Sequence, residues 1–275
     1  MPGVPSAAGG GQLLPVTPAL GAVTAVLLLA AVAVAGWGRL GHGHAVLRAG
    51  LRAVVQLAVV ALVIAWVVDS LWWSALFVLL MFTVAVRTAG RRMVPDRGRA
   101  WLWAAAPIGA GVLPVLVLLL GSGLLPAKGL SVVPVAGILI GGALTATSLS
   151  GRRALDELRQ RHGEVEAALA LGFEERDARM EICRTAAATS LVPALDQTRT
   201  VGLVTLPGAF VGMLLGGASP VRAGAVQLFV LVALLAVEST AVVVVLELVG
   251  RGLVRVGGPS ASAPGGRSAP GGRER

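Results

Sequence analysis

Seven apolar runs, each close to the length of a bilayer crossing, constrain this chain more than any other feature. They cover residues 18–36, 51–68, 71–86, 101–120, 130–149, 201–217 and 225–249. A bilayer core about 30 Å thick takes about 20 apolar residues in an α-helix. Helix is the form required there, because backbone polar groups out of reach of water must bond one another. The third and sixth runs are short for a full span. Trp37, Trp66, Trp72, Trp73, Trp101 and Trp103 fall mostly near run ends, where an amphipathic ring suits the headgroup region. The expected fold is all-α: a polytopic membrane protein with about seven transmembrane helices and one long cytosolic helical loop.

Composition excludes the main alternative. Hydrophobic residues make up 56% of the chain, and its 37 glycines bring the apolar share to about 70%, against about 45–50% in soluble domains. Charged residues stand at 13%, about half the usual share. A soluble fold cannot hide that much apolar surface, so a water-soluble enzyme is excluded. The single cysteine, Cys183, rules out an internal disulfide and a zinc site built on cysteine pairs.

Charge placement sets an orientation. The 23 basic residues are arginines except for Lys128. Segments 37–52, 87–100, 150–200 and 250–275 hold 21 of them, and only Lys128 and Arg222 fall in the intervening segments. Twenty-one against two is a strong cytoplasmic bias, and it predicts an N-out, C-in chain with an odd number of crossings. The net charge of +9 is thus spent on topology and needs no nucleic-acid partner. Residues 1–17 carry no charged side chain, unlike the basic start of a secretory signal. The first run is therefore expected to be a retained helix, after a disordered outward N-terminus at 1–17. Residues 257–275, rich in Gly, Pro and Ser, are expected to form a disordered cytosolic tail. The membrane-spanning domain is expected to occupy 18–256 between them, in the plasma membrane.

The long polar segment, 150–200, holds eight arginines and nine acids. Its near-neutral balance suits a solvated helical hairpin or a protein-facing surface better than a phosphate site. Leu155, Leu158, His162, Val165 and Leu169 recur at three- and four-residue spacing, one face of a helix. His162 is expected to pack on that face. Gly172 interrupts, as glycine does where a helix ends in the left-handed conformation, and a second helix restarts near Glu174.

Across this join runs Glu166-Ala167-Ala168-Leu169-Ala170-Leu171-Gly172, with Ile182 after nine further residues. This E-A-A-x3-G-x9-I pattern resembles the cytoplasmic loop by which ABC-transporter permeases grip their ATPase subunits. Small alanines let a helix lie close in a groove, glycine turns the chain sharply, and a glutamate can pair with a partner's arginine. An ordinary solvated helix ending at glycine would read the same way. Cys183-Arg184-Thr185 follows Ile182 where that pattern has Leu-Pro.

Longer stretches are more specific. Residues 148–153 (SLSGRR) and 196–220 (DQTRTVGLVTLPGAFVGMLLGGASP) resemble the FetB-like family of iron-export ABC permeases, whose members share a T-V-G-L-V-[ST]-L-P-G core. Thr200 to Gly208 matches that core, and the likeness extends over roughly residues 130–235. The resemblance implies a dimeric permease subunit that works with a separate cytosolic ATPase and exports a metal ion such as iron. Relatives have also been tied to aluminium tolerance and to a nucleotide sugar. A phosphate-binding loop needs G-x4-G-K-[ST], and Lys128, the only lysine, lies in Leu125-Pro126-Ala127-Lys128-Gly129 without that frame. ATP is therefore expected on the partner subunit, with no cofactor and no enzymatic activity in this chain.

Ionisable groups inside a membrane are costly unless paired or hydrated, which makes Glu238, near the middle of the seventh run, the leading pathway residue. It either lines a polar path or pairs with a neighbouring helix. Glu247 lies close enough to the cytosolic end to reach water. Gln56 and Gln227 fit interhelical hydrogen bonding as well as transport. Met81 and Met213 fit packing better than iron(II), which favours oxygen and nitrogen ligands. His42 and His44 lie in a Gly-His-Gly-His stretch with no adjacent acid or cysteine and read as flexible loop. Pro207, Gly208, Gly212 and Gly216 loosen the sixth run, as a gate or cavity lining or as a close helix contact. The alternative function is an ATP-independent channel or secondary transporter using Glu238.

Overall fold

The computed structural model describes residues 17–94 and 100–254. The two expected disordered ends therefore lie outside the described residues, except for Thr17. Ten α-helices follow in order: α1 (Pro18–Trp37), α2 (Gly43–Val68), α3 (Leu71–Met93), α4 (Ala105–Gly121), α5 (Gly129–Gln160), α6 (His162–Ala170), α7 (Glu175–Ala188), α8 (Val192–Thr200), α9 (Gly208–Leu215) and α10 (Pro220–Gly250). Among the described residues there is no strand, only an isolated bridge between Val201 and Thr205.

Among the described residues, six helical segments are long and apolar enough to cross a membrane: α1, α2, α3, Trp101–Gly121, α5 and α10. The protein is an all-α, multi-pass membrane protein. Local chemistry agrees with these elements. Thr17 is extended ahead of Pro18 at the first position of α1, where the missing N–H costs nothing. Pro114 and Pro134 sit inside α4 and α5, as proline can in membrane helices whose neighbours satisfy the freed carbonyls.

The sixth apolar run departs from the expected count of about seven spans. Residues 201–207 turn back on themselves, and α9 is only eight residues long. Apolar content is sufficient there, but Gly202 has φ +81°, and Pro207 disfavours helix for the residue before it. Hydropathy measures transfer into lipid and is blind to such a break.

The chain forms two compact units. The first takes the described residues up to 77 with 125–134 and 200–231. In it α1 packs on α2, with Leu28 against Gly50; most other side chains of the pair are exposed, as lipid-facing helices are. Buried Ser74 donates to the Val67 carbonyl at 2.7 Å, tying α3 to the end of α2.

The second unit takes 78–124, 135–199 and the described residues from 232. One core joins Ala89 of α3, Ile108 and Val112 of α4, Leu139 of α5 and Val237 of α10. Another joins Leu155 of α5 and Cys183 and Ala187 of α7 to Ala241, Val245 and Val249 of α10. Small residues at these crossings let backbones approach closely.

Candidate coupling loop and membrane pathway

The polar loop begins where α5 ends. Arg161, at φ −112° and ψ 31°, breaks the helix and starts α6. Its guanidinium bonds Glu157 at 3.3 Å and both oxygens of Glu164. The hydrogen bond from Arg161 holds the Glu164 carboxyl below the usual carboxylate range.

That break resets the helical phase, so His162 leaves the stripe on which it was expected to pack. It is exposed, and its Nδ1 lies 3.4 Å from Glu166 Oε1. Val165 keeps the stripe, buried with Ala178 and Ile182 and flanked by Leu158 and Ala168. The two helices thus close as a hairpin, and Ile182, the distal residue of the E-A-A pattern, helps seal it.

The end of α6 has a defined cap. Phe173 N donates to Ala168 O at 3.1 Å and Gly172 N to Leu169 O at 3.0 Å, the paired bonds of a left-handed C-terminal cap. Gly172 has φ +92°, a conformation costly for a residue with a Cβ. The tip that results is apolar and open: Leu171 is 80% and Phe173 51% exposed. Glu166, Ala167 and Gly172 are exposed beside it, while Ala168 is half-buried.

A cluster that the sequence reading did not single out joins α7 to the end of α10. Arg176 grips Glu247 through two bonds, Nε to Oε1 at 3.1 Å and Nη2 to Oε2 at 2.7 Å. Arg251 Nε bonds the same carboxylate at 2.6 Å, and Arg176 also bonds Asp177 at 2.7 Å. Glu247, read as reaching water, is 30% exposed and is also held between two arginines. Glu247 and Arg251 stand four apart on one helix, a spacing legible in sequence. Arg176 lies 71 residues away and is not.

Glu238 lies on the same helix, half-buried. A Cβ added at Gly142 of α5 would stand 2.9 Å from its Oε1 and 2.6 Å from Leu234 Cδ2. The carboxyl therefore lies against a spot on α5 left bare by glycine. Among the described residues no cation or hydrogen-bond donor pairs with it.

In the broken segment, Gly202 N donates to Thr205 O at 2.8 Å and Val204 N to Thr200 O at 2.9 Å. The loop so closed carries Leu203 and Val204 at 90% and 78% exposure. Pro207 caps α9, and Gly208 and Gly212 have nothing within 4 Å of an added Cβ. Gly216, at the end of α9, meets only carbonyls of that helix, at 3.4 Å. Pro207 and Phe210 line a cavity of about 190 Å³ together with Gln227. Gln227 is buried, and its Oε1 has no hydrogen-bond partner.

The remaining polar candidates separate clearly. Gln56 is exposed, on α2. Met81 packs on α5, its Cε 2.9 Å from where a Cβ at Gly137 would stand. Met213 is half-buried on α9. His42 precedes α2, with its ring nitrogen on the Leu40 carbonyl, and His44 lies exposed in the first turn of that helix. Among the described residues no group of three or more His, Cys, Asp or Glu could hold a metal ion.

Comparison with known proteins places these features in a family. The sequence profile of UPF0014, described as an uncharacterised protein family, matches residues 20–254. The UPF0014 membrane protein STAR2 of Oryza sativa subsp. japonica is 38% identical over 225 residues, 80% of this chain and 76% of its own. Protein ALUMINUM SENSITIVE 3 of Arabidopsis thaliana is 36% identical over 184 residues, 66% of each chain. The probable iron export permease protein FetB of Escherichia coli K12 is 30% identical over 207 residues, 73% of this chain and 78% of its own. No solved structure matches the chain significantly.

Proposed function

This chain belongs to the UPF0014 family, and on that premise we propose that it is the membrane-spanning permease subunit of an ABC transporter. Two copies form the pathway in the plasma membrane, and a separate cytosolic ATPase subunit binds and hydrolyses the ATP. The substrate is a metal ion such as iron, exported from the cytosol. The relative named a probable iron export permease supports that choice.

The observation that carries this reading is the hairpin tip. Apolar Leu171 and Phe173 stand exposed around a glycine turn, beside an exposed glutamate, in the longest polar segment of a multi-pass chain. Exposed apolar groups rimmed by charge mark a protein contact. An ordinary solvated hairpin has no reason to present two large side chains at its turn.

The arginine bias requires an odd number of crossings. Six long helices meet that requirement if residues 201–219 carry the chain across as a broken span. Broken helices occur in transporters where unwound backbone lines a cavity. The N-terminus is then outside, and α6 and α7 lie in the cytosol.

Co-purification of the tagged chain with its candidate ATPase tests the assignment, in wild type and in Glu166→Arg. Co-elution lost in the mutant is the expected result. Failure of the ATPase to bind wild type would refute the permease reading. One observation favours the second reading, an ATP-independent transporter: the unpaired Glu238 carboxyl against Gly142. Transport that continues without any ATPase and is lost in Glu238→Gln would establish it.

A further inference from the structure

We propose that α7 and the cytosolic end of α10 move as one lever, with the Arg176–Glu247 ion pair fixing their register. Load applied at the 171–173 turn is thereby delivered to Glu238. The inference deepens the permease reading and rests on it.

The geometry supplies each part of the lever. Arg176 lies four residues beyond Gly172, in the first turn of α7, directly behind the tip. Behind it α7 lies close on α10. A Cβ at Gly250 would stand 3.0 Å from Met180 Cγ and 3.6 Å from Arg176 Cγ. Cys183 and Ala187, both fully buried, share a core with Ala241, Val245 and Val249. That apolar contact supplies adhesion between the helices.

Apolar contact alone is weakly directional, and small side chains let helices slide. The ion pair adds direction. An arginine fork on both oxygens of a carboxylate is restricted in angle as well as in distance. Arg251 holds the same carboxylate from its own helix, which limits the rotation of Glu247. As an exposed pair it adds little to stability, so its consequence is position. Glu238 lies nine residues from Glu247 within an unbroken α10, about 14 Å along the axis at 1.5 Å per residue. A helix transmits an axial shift or rotation over that length with little loss.

The experiment uses the full chain with its ATPase in lipid nanodiscs. Dicyclohexylcarbodiimide, an apolar reagent for protonated carboxyls in membranes, is the probe. Its rate of addition to Glu238 is followed by mass spectrometry, first without nucleotide and then with ATP and vanadate. The wild type should show a change of several-fold on trapping. Arg176→Glu and Glu247→Gln should reduce that change to less than about twofold while the ATPase still co-elutes. The exchange Arg176→Glu with Glu247→Arg should recover at least half of it. Arg159→Glu, which breaks only the exposed pair with Asp156, should respond like wild type.

A full wild-type response in both single variants overturns the proposal, as does a wild type whose Glu238 labelling ignores the nucleotide. Loss of response in Arg159→Glu would also overturn it, by showing that general charge is what matters. An ATPase that never binds the wild type is a different result and removes the permease reading itself.

Discussion

Replacing Gly111 with alanine tests the packing account of the membrane core. Gly111 faces the Val237 backbone, and an added Cβ would stand 2.7 Å from the carbonyl oxygen and 3.2 Å from Cγ1. Comfortable contact begins near 3.5 Å, so α4 and α10 must part by roughly 0.8 Å. A backbone atom cannot swing aside as a side-chain tip can. Overpacking of this kind costs about 1–3 kcal/mol.

Gly109, two residues earlier on the same helix, supplies the control. Its nearest neighbours would be the Phe82 ring at 3.8 Å and Leu113 at 3.9 Å, which is ordinary contact. Gly109→Ala should gain helix stability, up to about 1 kcal/mol. Gly111→Ala carries the same helix gain, so the two variants should differ by the overpacking cost alone, about 1–3 kcal/mol, with Gly109→Ala the more stable. The assay is the monodisperse fraction left after heating in detergent, with tryptophan fluorescence as a second probe. An apparent Tm for Gly111→Ala at or above that of Gly109→Ala would refute the reasoning.

Two single positions and one pair of glycines give further outcomes. Burial pushes the Cys183 thiol up to about 11, so N-ethylmaleimide at pH 7.5 should label it only after unfolding. With a folded pKa above the unfolded one, the protonated thiol's stabilisation is intact below about pH 9 and is lost as pH rises towards 11; labelling of the native protein at neutral pH would contradict its burial. Gly172→Ala must adopt φ +92° with a Cβ, at about 1–2 kcal/mol, and should weaken ATPase co-purification by about five- to thirtyfold if the whole strain reaches the tip. Gly212→Leu with Gly216→Leu should lower assembly although an added Cβ at Gly212 meets nothing within 4 Å and one at Gly216 meets only carbonyls of α9 itself, at 3.4 Å; a loss would place a second molecule on that face, and wild-type assembly and transport would remove α9 from both interface and gate.

What the sequence made legible follows the range of each interaction. Six of the seven apolar runs are long helices, because spanning depends on composition over about 20 residues and on little else. The Gly172 turn was legible because its cap is a local motif, closed by bonds from 172 and 173 to 169 and 168. The sixth run was misjudged because hydropathy averages over the Gly202 and Pro207 break. His162 was misplaced because periodicity was carried through Arg161, where the backbone restarts. Arg176 could not have been found at all. Its partner is 71 residues distant, and a lone arginine among eight in a loop carries no mark of the carboxylate it will meet.

The length of α10 joins these observations. Its 31 residues extend about 46 Å, well beyond an apolar core of about 30 Å, so one end must stand in the headgroup region or the water. That surplus is what allows one helix to hold two carboxylates in different surroundings. Glu247 is gripped by two arginines near the end of the helix, while Glu238 lies about 14 Å further along its axis, against Gly142. A shorter helix would force a choice: bury the ion pair, whose desolvation its attraction does not reliably offset, or move Glu238 out to the interface, where an unpaired carboxylate has no special consequence. The extension therefore has a physical use that a mere anchor would not require. It lets a single rigid element carry an exposed ion pair near its end and a half-buried carboxyl further along.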